Sequence, residues 1–181
     1  MKLDNIIKLS LSIIMCEFAG VIGSVVTIPG VKEWFVNLQK PVFSPPNWLF
    51  APVWSLLFLL MGISFYLVWD KNWQAKNKIN WLKNIKCSEK FENLFSNFSD
   101  KTKTIAIFFI QLILNIFWSF LFFGFHNPAF AFFDLLLLWI AIFLTIIYFY
   151  RVSKWAGYLL VPYILWVSFA GVLNLFLWIL N

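Results

Sequence analysis

Two carboxylates, Glu17 and Asp134, stand inside apolar runs of the sequence. An acid at membrane depth is costly and is expected to face a bundle interior, a cavity or a hydrogen-bond donor. Each therefore reads either as a handler of protons or cations or as a protonated structural hydrogen-bonder. Two acids alone do not make a proton relay, and no basic residue within the apolar runs is there to pair with them. His126 is the single histidine, Cys16 lies in an apolar run and Cys87 in a polar one, so no ligand spacing repeats and no disulfide framework is suggested. The glycines form neither a phosphate-cradling loop nor a dinucleotide fingerprint. Metal hydrolase, kinase-like and dehydrogenase chemistries find no constellation here, and no catalytic or metal-binding residue is assigned.

What remains is polar and aromatic rather than acid–base. Gln111, Asn115, Trp118, Ser119 and Phe122 fall on successive turns of one helical face. Such groups glue helices together in lipid, or orient a ligand's carboxylates or ring nitrogens, and both roles are open to them. Cys16, Gly20, Gly23, Ser24 and Thr27 recur at helical spacing and would admit a close neighbour, either a helix or a ligand. Pro162, Trp166, Ala170 and Leu173 share another stripe with Tyr163 and Asn174 beside it, and Pro162 is expected to kink its helix or open its backbone locally. Trp48, Phe50, Trp54, Trp118, Phe130 and Trp166 together offer planar walls suited to a large flat apolar ligand. Trp34, Trp69, Trp73, Trp155 and Trp178 sit at the ends of apolar runs, where an interfacial belt explains them.

These residues must be positioned by a chain of 181 residues that is 62% hydrophobic, 22% aromatic and 12% charged, with a mean hydropathy of +0.82. A soluble domain carries about 25% charged residues, and a spanning helix needs about 20 mostly apolar ones. The expectation is a single all-α domain over 1–181, an integral membrane bundle of five transmembrane helices: Ile6 to Ile28, Leu49 to Trp69, Thr104 to Phe125, Ala129 to Tyr150 and Trp155 to Leu180. The first has basic residues before it, as a signal peptide does, but runs past signal length and is kept as a span. Between the first two spans, Pro41, Pro45 and Pro46 stiffen a loop that reads as a lid or as a rigid connector.

Residues 70–103 form a polar, basic insertion between the second and third spans, with eight of the fourteen basic residues. Phe91, Leu94, Phe95 and Phe98 share one helical face there, so the insertion reads as an amphipathic helix at headgroup level or as a disordered segment. With five spans, Lys2, Lys8, the eight insertion lysines, Arg151 and Lys154 lie on one side and Lys32 and Lys40 on the other. The positive-inside rule places the N-terminus and the insertion in the cytoplasm and the C-terminus outside. In a chain this apolar, a net charge of +6 points to topology and anionic lipid rather than nucleic acid. Its Lys-, Asn- and Phe-rich usage fits a microbial plasma-membrane protein.

The run Trp34-Phe35-x-x-Leu38-x-Lys40-Pro41-x-Phe43-x-Pro45-Pro46-x-Trp48-x-Phe50-x-Pro52-Val53-Trp54 resembles the signature of the translocator protein, or tryptophan-rich sensory protein, family. Gln111-Leu112-x-Leu114-Asn115-x-x-Trp118-Ser119 is similar to its next motif, and Pro162-Tyr163-x-x-Trp166-Val167-x-Phe169-Ala170-x-x-Leu173-Asn174 to its last. The resemblance covers all five spans in order. It implies a five-helix bundle, commonly a homodimer, that needs no cofactor and binds protoporphyrin IX or a related flat ligand. Some members take sterols or synthetic isoquinoline and benzodiazepine-type compounds. By motif position it implies that Trp54, Asn115, Trp118, Phe130, Trp166, Ala170 and Leu173 line a pocket beneath the first loop, with Trp48 and Phe50 near the lid.

Two departures stand out. The family's late sterol-recognition pattern is absent, since Leu175 stands where a tyrosine is expected and no basic residue follows Lys154, which lowers the case for tight cholesterol binding. The 70–103 insertion is longer than the resemblance leads one to expect. The function implied is a membrane receptor or transporter for tetrapyrroles. Alternatives are light-dependent porphyrin degradation in the same pocket, with Trp54 and Trp166 at the matching positions, ion transport through Glu17 and Asp134, and a sensor or scaffold acting through the insertion.

Overall fold

The computed structural model describes residues 3–69 and 100–181. Lipid leaves no water for backbone groups, so a segment that crosses it must satisfy them internally, which a helix does. The described residues form α1 (Leu3–Glu33), α2 (Phe50–Trp69), α3 (Asp100–Ser119), α4 (Pro128–Val152), α5 (Lys154–Leu159) and α6 (Val161–Leu180). Five segments are long and apolar enough to span: Leu3–Glu33, Asn47–Trp69, Lys101–Gly124, Pro128–Val152 and Lys154–Leu180. The all-α, five-span expectation therefore holds. The amphipathic helix expected around Phe91 to Phe98 lies outside the described residues.

The spans close a ring in the order first, second, fifth, fourth, third, with α1 packed on α2 and α3, α2 on α5, and α4 on α3, α5 and α6. Glycine makes the closest of these contacts. A Cβ on Gly62 of α2 would come within 2.6 Å of the Ile13 Cα on α1, so only glycine lets the two backbones meet. At Gly157 a Cβ would come within 2.7 Å of the Tyr150 Cβ, which is how the short Ser153 link folds α5 back on α4.

Two prolines set the helix ends differently from expectation. The first span, read as ending at Ile28, continues through Pro29 to Glu33. Gly30 holds that extra turn against the third span, where a Cβ would meet Phe123 at 2.8 Å. Where a kink or a local opening of the backbone is expected at Pro162, the helix breaks at Leu160, and Pro162 occupies the first turn of α6, where a missing N–H is tolerated.

The end of the bundle nearest the first loop is tightly built. After α3, a single π-helical turn over Phe120–Gly124 brings both Phe122 and Phe123 into the core. His126 follows in the left-handed region (φ 53°), its ring stacked on Trp34 at 4.7 Å. Asn127 caps α4, its side-chain oxygen accepting from the Phe130 N–H at 3.1 Å. The proline-rich loop is tied to α6: the Gln39 N–H donates to the Asn181 side-chain oxygen at 2.9 Å, and the Asn181 amide donates back to the Gln39 carbonyl at 3.1 Å. Phe43 sits edge-on to Phe176 and Phe169.

Candidate functional site

A cavity of about 430 Å³ lies between α1, α2 and α3. From α1 it takes a stripe that includes Glu17, Gly20, Val21, Ser24, Thr27, Ile28, Val31 and Lys32. These positions follow the i, i+3, i+4, i+7 pattern, so one face of α1 runs the length of the cavity. From the start of the second span come Asn47, Phe50, Ala51, Trp54, Ser55 and Phe58, and from the third Asn115, Trp118, Ser119 and Phe123. Val21 and Ile28 are exposed as well as lining, so the cavity opens sideways through the α1 face.

The wall opposite α1 is aromatic and fixed. Trp54 lies near-parallel to Trp118, centroids 6.1 Å apart, and tilted on Phe58 at 5.7 Å. Trp118 in turn stacks on Phe122 at 5.5 Å. Pairs of this kind contribute about 0.5–1.5 kcal/mol each beyond their burial. The polar atoms of this wall point away from the cavity, into α6. Asn115 donates its amide N–H to the Tyr163 hydroxyl at 2.8 Å. The Asn174 amide, oriented so that both its ends are satisfied, donates to the Pro128 carbonyl at 2.8 Å and accepts from the Trp118 indole N–H at 3.3 Å. Asn115 and Trp118 therefore serve as interhelical glue with one edge while presenting the other to the cavity.

Of the residues singled out from the sequence, Phe50, Trp54, Asn115 and Trp118 converge on this cavity. Trp166 does not line it, but sits edge-on behind Phe50 at 6.1 Å, its indole N–H buried and without a hydrogen-bond partner among the described residues. Ala170 and Leu173 are buried in the bundle on α6 and border neither cavity described here. Trp48 (70% exposed) and Phe130 (63% exposed) lie on the outer surface. None of residues 33–46 lines the cavity, so the proline-rich loop leans on α6 rather than over it. Gly20, Gly23, Ser24 and Thr27 do line it. Gly20 also admits the Phe58 ring, where a Cβ would clash at 2.7 Å, and so serves packing and cavity together.

Sequence reading passed over Ser55, Phe58 and Phe123. Phe58 was within reach, being one helical turn on from Trp54. Asp134 lies elsewhere, on α4; it is 7% exposed, and one carboxyl oxygen has no partner among the described residues. A second, largely apolar groove of about 320 Å³ runs between α4 and α6, lined by Gly171, Ser168 and Trp139 among others, the Trp139 indole N–H donating to the Ser168 hydroxyl at 2.9 Å.

Over residues 12–179 the chain matches the TspO/MBR family. It is 39% identical over 177 residues to the tryptophan-rich protein TspO of Archaeoglobus fulgidus, covering 98% of this chain and 99% of that one. Identity is 33% over 168 residues to protein CrtK of Rhodobacter capsulatus (93% and 89% covered). To the human translocator protein it is 33% over 147 residues (81% and 73%).

Proposed function

This chain belongs to the TspO/MBR family, and from that premise we propose that it binds protoporphyrin IX or a closely related flat tetrapyrrole in the α1–α3 cavity, acting as a membrane receptor or transporter. The observation that carries the reading is the preformed aromatic wall. Trp54, Trp118 and Phe58 give a broad surface against which a planar ring can lie, and the anchoring of Trp118 to Asn174 holds that surface rigid before any ligand arrives. A wall ordered in advance lowers the entropy that binding must overcome. Lys32 and Asn47 stand at the end of the cavity nearest the first loop, where they can meet the carboxylates of a tetrapyrrole whose apolar body lies deeper. The sideways opening suits a ligand that partitions into lipid first.

Titration of protoporphyrin IX into the detergent-purified protein tests this, first in darkness and then under illumination, following tryptophan quenching and the porphyrin bands. Saturable quenching is expected, with affinity falling about fivefold or more in Trp54→Ala, the loss of one stacked indole being worth about 1–3 kcal/mol. Absence of saturable binding, or binding indifferent to Trp54, overturns the reading. Irreversible bleaching confined to the light would shift it to porphyrin degradation in the same cavity.

A further inference from the structure

We propose that the α1–α3 cavity accepts flat aromatic ligands that carry a protonated amine, and that Glu17 is the group that receives the ammonium. The inference rests on the cavity being the ligand site. Glu17 lies fifteen residues before Lys32 on α1, roughly 22 Å along the helix axis. It is therefore the deep end of a cavity whose other end is basic.

An acid at that depth needs a counter-charge or a donor, and Glu17 makes no hydrogen bond among the described residues. No ion pair is made by Glu17 among the described residues. On its own helix the nearest cation is Lys8, nine residues and roughly 14 Å away; α2 contains no basic residue, and those of α3 stand at its far end, at Lys101 and Lys103. Three of the donors that share the cavity are committed elsewhere. Ser24 donates to the Val21 carbonyl (2.7 Å), Thr27 to the Gly23 carbonyl (2.9 Å), and Asn115 to Tyr163.

Aromatic rings line the same cavity as the carboxylate. Gly20, one turn from Glu17, has the Phe58 ring directly against it, and Phe58 leads to Trp54. A carboxylate and aromatic faces in one cavity are the chemistry that recognises an ammonium group. Lys32 at the opposite end repels a second cation there. The cavity thus sets an orientation: the amine lies toward Glu17 and a neutral or acidic end toward Lys32.

The test uses the full chain in a neutral detergent and two fluorescent probes of nearly equal shape, 1-(aminomethyl)pyrene, an ammonium at pH 7, and 1-(hydroxymethyl)pyrene, with protoporphyrin IX titrated alongside. Wild-type protein is expected to bind the ammonium about tenfold or more tighter than the alcohol. In Glu17→Gln the ratio should fall to near one, and in Glu17→Asp, which keeps the charge but draws it back by one methylene, it should fall only part of the way. Equal affinities in wild type, or a preference that survives Glu17→Gln, overturn the proposal while leaving protoporphyrin binding standing. If protoporphyrin and both probes all fail to bind saturably, the cavity is not the ligand site and both readings fall together.

Discussion

Asn115 and Tyr163 show how a single side chain in lipid serves two neighbours. The Asn115 amide is buried, donates to the Tyr163 hydroxyl at 2.8 Å, and still contributes to the cavity lining. Tyr163→Phe removes the acceptor and leaves a buried N–H without a partner, a penalty of about 1 kcal/mol once the modest strength of interhelical hydrogen bonds in membranes is allowed for. The expected outcome is a lower unfolding midpoint in detergent, with protoporphyrin affinity weakened far less than by Trp54→Ala, because the aromatic wall stays in place. A melting curve and a quenching titration on the same preparation check both halves. An affinity loss equal to that of Trp54→Ala would mean that Tyr163 itself meets the ligand. The choice between glue and cavity lining, open when only the spacing of Asn115 and Trp118 was known, narrows in the structure, since each side chain bonds across to α6 with one edge and faces the cavity with the other.

Between elements, the cavity depends on how closely α1 and α2 approach, and Gly62 sets that distance. A Cβ there meets the backbone of Ile13 rather than a side chain that could rotate away. Gly62→Ala should therefore force the helices apart, at a cost of about 1–3 kcal/mol, and alter the cavity they share with α3. Gly171 is the matched control. It lies inside α6 with nothing within 4 Å of an added Cβ, so Gly171→Ala should be neutral or stabilising by up to about 1 kcal/mol. Thermal unfolding of the two variants should move in opposite directions or, at most, differ in sign from zero only for Gly62. The spans were legible in the sequence because membrane thickness and backbone hydrogen bonding dictate their length and hydropathy. The helices that border the cavity were not. In lipid the inward and outward faces are equally apolar, so periodicity could not tell that α6 stands behind the wall, holding it through Tyr163 and Asn174, while Trp166, Ala170 and Leu173 fall outside the cavity. Nor could it distinguish Gly62, whose approach to Ile13 is a matter of two helices, from Gly171.

At the scale of the whole molecule, the bundle has two ends of different chemistry. Lys32 and Lys40 share one end with the first loop, the His126 link and the C-terminus, whereas Lys8, Lys101, Lys103, Arg151 and Lys154 gather at the other, where α2 ends and α3 begins. By the positive-inside rule the end with the excess of positive charge is expected in the cytoplasm, which would turn the Lys32 end of the cavity to the outer face. A chain with Cys16 and Cys87 replaced by serine, carrying either Lys40→Cys or Lys154→Cys, puts this to a direct test with a membrane-impermeant maleimide on intact cells. Lys40→Cys should label without permeabilisation and Lys154→Cys only after it. The reverse pattern would place the Lys32 end at the cytoplasmic face. Orientation thus decides which face of the membrane the basic end of the cavity meets, which no pairwise contact within the bundle can do.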